Sequence, residues 1–146
     1  MAYEKDSKQL SFYDGPSQFE GVDLDPENRW VKLADIIPWD LVEDVYAQNF
    51  PSNMGRKAYS SKIAFGAILV KDILKVTDQE LVYLITENPY LQYFFGEMSF
   101  SNQPIFSTSS MTRFKRRFKE EDIIYLYDQT NLLLENEDIE IKAILR

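Results

Sequence analysis

The sequence predicts an all-α fold: a compact helical domain with a helix-turn-helix-like unit, preceded by an irregular N-terminal arm. Three observations predict it. Ile63, Ala67, Val70 and Leu74 recur at helical spacing, Thr77-Asp78-Gln79-Glu80 spells a capping box, and Asn88-Pro89 to Gly96 sets proline at a helix start and glycine past its end.

Residues 1–28 are polar and turn-rich, with Asp14-Gly15-Pro16 and Asp25-Pro26, and read as an extended arm with little regular structure. A helical domain follows over residues 29–120. Trp30, Leu33, Ile36 and Ile37 make a short amphipathic helix that Pro38 ends. Asp40 is placed to cap the next helix, in which Leu41, Val45 and Tyr46 share a face before Phe50-Pro51 stops it. Residues 51–57 are a loop. Ser60 or Ser61 then caps a helix running to about Lys75, apolar nearly all round and therefore the central core element.

In the capping box the Thr77 hydroxyl accepts from the amide three residues on, and the Glu80 carboxylate reaches back to the Thr77 amide. It opens a helix with Leu81, Leu84 and Ile85 inward. Only Val76 or so links this helix to the previous one, so the chain must turn sharply there, as in helix-turn-helix units. A further short helix spans Tyr90–Phe95, and residues 97–107 form an irregular loop. Ser107, Thr108 or Ser109 caps the next helix. The apolar residues from Ile123 to Leu134 suit a helix continuing past it, in a tail, residues 121–146, whose ending is strand-like in pattern.

Composition closes off several chemistries. The chain of 146 residues, 45% hydrophobic, can bury one core. It has no cysteine and no histidine, which removes disulfides, thiolate nucleophiles, histidine bases and Cys- or His-bearing metal sites. Carboxylate chemistry survives, but Asp122, Asp128 and Asp138 lack the apolar surroundings a catalytic set needs. Asp23, Asp25 and Glu27 lack the spacing of a calcium loop and read as a solvated acidic arm. The longest apolar run, Ala64–Val70, is far short of the roughly 20 residues of a membrane span, and no secretory signal opens the chain. A cytoplasmic setting without membrane partners is expected.

The net charge of −8 is unevenly spread: residues 61–119 carry 8 basic and 5 acidic side chains, a positive island between flanks of −5 and −6. Five of those cations fall within Ser109–Lys119. At 100° per residue Met111, Phe114 and Phe118 share one face, while Ser109, Thr112, Arg113 and Arg116 lie opposite, flanked by Arg117 and Lys119. Guanidinium forks and small hydroxyls on one face suit phosphates and base edges in a DNA major groove. The same periodicity also suits an ordinary surface helix with a solvated basic side. Arg56 and Lys57, after Gly55, form either a secondary phosphate contact or a plain exposed turn. Tyr90, Tyr93, Phe94 and Phe95 read as core residues rather than a base-stacking platform.

Five ordered blocks carry a family resemblance: DPENRWVKLADIIPWD at 25–40, YAQNFPSNMGRKA at 46–58, KIAFGAILVKDIL at 62–74, TDQELVYLITENPYLQYFFG at 77–96 and FSTSSMTRFKRRF at 106–118. Together they resemble the N-terminal domain of InsH-like (insertion sequence five group) DDE transposases. The family's Phe-x-x-Ser-x-Met-x-x-Phe segment falls on Phe106, Ser109, Met111 and Phe114, with Arg113, Lys115, Arg116 and Arg117 in register. Lys57 stands where the family has Pro, and Ser107-Thr108 where it has Asp-Pro.

The resemblance implies a domain that binds double-stranded DNA at the terminal inverted repeats of a mobile element. It also implies a following catalytic domain with three carboxylates and divalent metal ions, which is expected to be missing here, leaving this chain without cofactor and inactive alone in strand cleavage. The basic face and the resemblance together nominate for DNA Ser109, Thr112, Arg113, Lys115, Arg116, Arg117 and Lys119, with Arg56 and Lys57 secondary. Expected partners are DNA in the prokaryotic nucleoid, and a second copy or a catalytic transposase subunit. The acidic flanks and apolar tail leave open an interaction module derived from a transposase, or a remnant without selected function.

Overall fold

A computed structural model describes residues 15–49 and 59–135. The described residues form seven α-helices and no strand: α1 Arg29–Ile36, α2 Trp39–Gln48, α3 Ser61–Leu74, α4 Asp78–Glu87, α5 Pro89–Phe94, α6 Ser110–Arg117 and α7 Glu120–Leu134. The all-α prediction holds. The loop at 51–57 with Arg56 and Lys57, and the strand-like ending, lie outside the described residues.

Local chemistry starts most of these helices. Asn28 accepts from the Trp30 amide (2.8 Å), Ser60 from Ile63 (3.3 Å) and Thr77 from Glu80 (3.1 Å). Each such cap is worth about 1 kcal/mol. Asn88 both ends α4 and caps α5, whose first residue is Pro89. Helix α2 departs from expectation. Pro38 occupies its N-cap, and Asp40 sits inside the first turn, where its charge complements the helix dipole instead of capping.

Helix α3 is the central element: Ala64, Phe65, Ala67, Leu69 and Val70 are fully buried, while Ile63 and Leu74, at the ends of the apolar stripe, are only half-buried. Gly66 has a packing role. A Cβ there would lie 3.0 Å from Cε1 of Phe95 and 3.3 Å from Cε2 of Phe94, so glycine lets both rings lie against the α3 backbone. Phe94 also packs edge-on against Trp30, 5.8 Å between ring centres, and tilted against Trp39 at 5.7 Å. The aromatic segment is therefore core. Lys75 turns the chain between α3 and α4 in the left-handed region (φ 56°), at a cost of roughly 1–2 kcal/mol that glycine would not incur.

The described part of the arm is docked rather than loose. Phe19 and Leu24 are buried, the Asp25 amide donates to the Tyr90 hydroxyl (2.9 Å), and Glu20 forms an isolated bridge with Ser99. Regular structure there is limited to a 3₁₀ turn at Pro16–Gln18.

Helix α7 is separate from α6, not its continuation, because the backbone turns extended at Phe118 and Lys119. It packs on α1 and α2, burying Leu126, Thr130 and Leu134. The Tyr127 hydroxyl donates to Asp72 Oδ2 on α3 (2.6 Å). Burial, then that bond and the Asp72 charge, raise the Tyr127 pKa above the ordinary tyrosine value of 10.0. A group raised on folding stabilises the fold below its unfolded pKa and loses that contribution as pH rises toward its folded pKa. Stability is thus expected to fall above about pH 10 by up to roughly 1.4 kcal/mol per pH unit. Urea midpoints across that range check it, and Tyr127→Phe should flatten the alkaline fall.

Candidate functional site

The cationic helix sits where the sequence places it, and its two faces divide cleanly. Met111, Phe114 and Phe118 are 0%, 2% and 4% exposed. Phe114 meets Tyr59 and Phe106 edge-on at 5.3 and 5.2 Å, and Phe118 stacks on Tyr46 at 5.3 Å. This face lies chiefly on α3. Ser109, Thr112, Lys115 and Arg116 are exposed, and Arg113 and Arg117 half-buried. With an inward face so fully packed, the opposite face is held in one orientation.

The start of α6 differs from the expected side-chain cap. Ser109 is the N-cap residue but has helical dihedrals, and its side chain caps nothing. Turn bonds set the helix instead: the Ser110 amide donates to the Ser107 carbonyl (3.0 Å) and the Met111 amide to that of Thr108 (3.2 Å). The Ser107 hydroxyl pairs with those of Ser109 (3.0 Å) and Ser110 (2.9 Å). Buried Ser110 accepts from Arg113 Nη2 (3.0 Å), which leans that guanidinium along the helix and leaves its other donors uncommitted to this bond.

Two further groups fix α6 and were not legible in the sequence. Asn49, at the end of α2, donates through Nδ2 to the Arg117 carbonyl (2.7 Å) and to Asp122 Oδ2 (2.9 Å). Asp122 also accepts from the Lys119 amide (3.0 Å), so one asparagine and one aspartate close the corner between α6 and α7. Ahead of α6, buried Gln92 donates to the Ser101 carbonyl (2.8 Å) and accepts from the Ser101 amide (2.9 Å), anchoring the loop that leads into the helix. Residues 68, 73 and 9 positions apart meet in these contacts, and no local pattern announces them.

Electrostatically the ridge is cationic but not isolated. Lys115 Nζ lies 3.5 Å from Asp78 Oδ1 at the head of α4, and Lys71 Nζ on α3 lies 2.8 Å from the same oxygen. The hydrogen bond with Lys71 is the main influence holding Asp78 below its ordinary pKa and raising that of Lys71. Glu120 and Glu121 are exposed at the start of α7, just beyond Lys119. Among the described residues no group of three or more Asp or Glu side chains is gathered as a metal site, and no helix is long and apolar enough to cross a membrane. An exposed row of guanidinium, ammonium and hydroxyl groups on a packed helix can meet an array of anionic oxygens.

The sequence profile of the transposase domain family (DUF772) matches residues 20–117, from the docked arm through the last residue of α6. The chain belongs to this transposase family. It is also similar, at 30% identity over 94 residues, to an uncharacterized protein, ORF8 in the nfe locus, of Rhizobium meliloti. That similarity covers 64% of the chain and 45% of the relative, so the chain spans about half the length of the curated relative it matches. No solved structure matches the chain. The matched region thus contains α1–α6 with every cation of the ridge except Lys119, while α7 lies past its end yet shares its core.

Proposed function

We propose that the chain is a DNA-binding domain of an insertion-sequence transposase, in the InsH-like group, and that α6 reads the terminal inverted repeats. The supporting observation is the division of α6: a face at most 4% exposed at Met111, Phe114 and Phe118, opposite an outward row of Ser109, Thr112, Lys115 and Arg116 with Arg113 at its edge. In a chain of net charge −8, cations concentrated on one rigid helix favour local contact with a polyanion over general coating. The sharp α3–α4 turn and α6 lying on α3 serve as the helix-turn-helix-like frame. Strand cleavage and transfer, with the divalent metal they use, belong to a catalytic domain of the same enzyme.

The test is titration of the full chain with a duplex carrying the element's terminal repeat, against a scrambled duplex of equal composition. Preferential retardation of the repeat is expected, and equal or no retardation of both defeats the reading. A second reading, self-association or docking to a catalytic subunit, is favoured by Ile124, Tyr125, Leu132 and Leu133, all more than 40% exposed on α7. Light scattering of the free chain separates the two readings, because a monomer that binds the repeat needs no such contact.

A further inference from the structure

Three helices converge on one oxygen beside the ridge. Asp78 Oδ1, at the first position of α4, lies 2.8 Å from Lys71 Nζ of α3 and 3.5 Å from Lys115 Nζ of α6. Two ammonium groups therefore share a single carboxylate, leaving the trio with one net positive charge. The other nearby carboxylate, Asp72, is engaged by the Tyr127 hydroxyl at 2.6 Å. The side chains are partly exposed, 26% (Lys71), 50% (Lys115) and 29% (Asp78), while Asp78 Oδ1 itself is buried beneath the two ammonium groups, so a phosphate enters only as the aspartate side chain swings out. Lys115 stands about 60° around α6 from Thr112 at 100° per residue, so the trio borders the outward row.

Two lysines held around one anionic oxygen make a geometry that a phosphodiester also satisfies, since it carries one negative charge on two non-bridging oxygens. We propose that Lys71 and Lys115 form a clamp for a single DNA backbone phosphate at the border of the α6 ridge, and that Asp78 fills the clamp in the free chain as a built-in competitor. This rests on the DNA-binding reading and deepens it. Helix α3 becomes a direct phosphate contact as well as a support for α6. Asp78 weakens contacts to the DNA backbone, which are the same in every sequence, and so leaves discrimination to Arg113 and Arg116. The Lys71 hydrogen bond keeps the Asp78 carboxyl below the ordinary range and the Lys71 ammonium above it, so both remain charged near neutrality.

The experiment measures binding of the full chain to a short fluorescein-labelled mixed-sequence duplex between about 50 and 200 mM NaCl. Removing the competitor with Asp78→Asn should steepen the salt slope by about 0.9 and tighten binding at 0.1 M salt about 5–10-fold. Glu87→Gln makes the same change of net charge at the far end of α4, about 13 Å along the helix, and should do much less. Lys71→Ala, at a partly exposed position, should flatten the slope by about 0.9 with little effect on thermal unfolding. The clamp is refuted if Asp78→Asn does no more than Glu87→Gln, or if Lys71→Ala leaves the slope unchanged. Should the unmodified chain bind no duplex, clamp and DNA reading fall together. Should Arg113→Ala/Arg116→Ala abolish binding while the clamp variants do nothing, only the clamp fails.

Discussion

Replacing Phe114 with alanine is expected to lower the unfolding free energy by about 3–5 kcal/mol. The ring is 2% exposed and sits edge-on to both Tyr59 and Phe106, so truncation loses the transfer energy of the ring, two aromatic contacts and the packing around the void. Neighbours cannot easily close in. Phe106 is itself packed against Phe95, whose ring lies on the Gly66 backbone. A domain of this size has roughly 5–15 kcal/mol of stability in total, so one substitution removes a large share. Phe114→Leu retains most of the apolar volume and should cost clearly less. Urea unfolding of the two variants checks this, and a loss below about 1 kcal/mol for the alanine variant would mean that α6 is not seated as described. Because the same ring fixes the orientation of the cationic face, Phe114→Ala should also weaken DNA binding under conditions where the chain is still folded.

Much of this fold was legible in the sequence, and the reason is locality. Met111, Phe114 and Phe118 declare an inward face through spacing alone, and burial follows because the rings have nowhere else to go. Ser60, Thr77, Asn88-Pro89 and Gly96 mark helix ends through bonds that span two or three residues. Failures occur where a distant partner decides. The break between α6 and α7 depends on Asn49, 68 residues before the carbonyl it holds. The docking of Phe19 and Leu24 depends on helices that a turn-rich arm does not reveal, Tyr93 among them, edge-on to Phe19 at 6.4 Å. The Asp40 capping expectation failed because Pro38, restricted in φ and lacking an amide donor, begins the helix two residues earlier. The candidate site divides the same way. Its outward residues followed from periodicity, whereas the Lys71–Asp78–Lys115 trio joins three helices and exists only in the folded chain.

The double substitution Arg113→Ala/Arg116→Ala should remove the nucleic-acid affinity proposed for the ridge while leaving the fold nearly intact. Arg116 is exposed, and surface changes of this kind cost about 0.5 kcal/mol or less. Arg113 gives up one hydrogen bond to Ser110, worth about 0.5–1.5 kcal/mol, so thermal unfolding should shift only slightly. Binding is a different matter. If both guanidiniums meet phosphates, the salt slope flattens by about 1.8 and affinity at 0.1 M salt drops about 50–100-fold. If either forks onto a guanine edge, a further 1–3 kcal/mol of preference for the terminal repeat over a scrambled duplex disappears with it. Arg116→Lys distinguishes the two cases. It keeps the charge and hence the slope, but it cannot make the paired contact, so only a base-reading Arg116 loses sequence preference. A double alanine variant that retards the repeat as strongly as the unmodified chain would remove Arg113 and Arg116 from the DNA interface and favour the second reading, docking through the exposed Ile124 and Leu132 of α7.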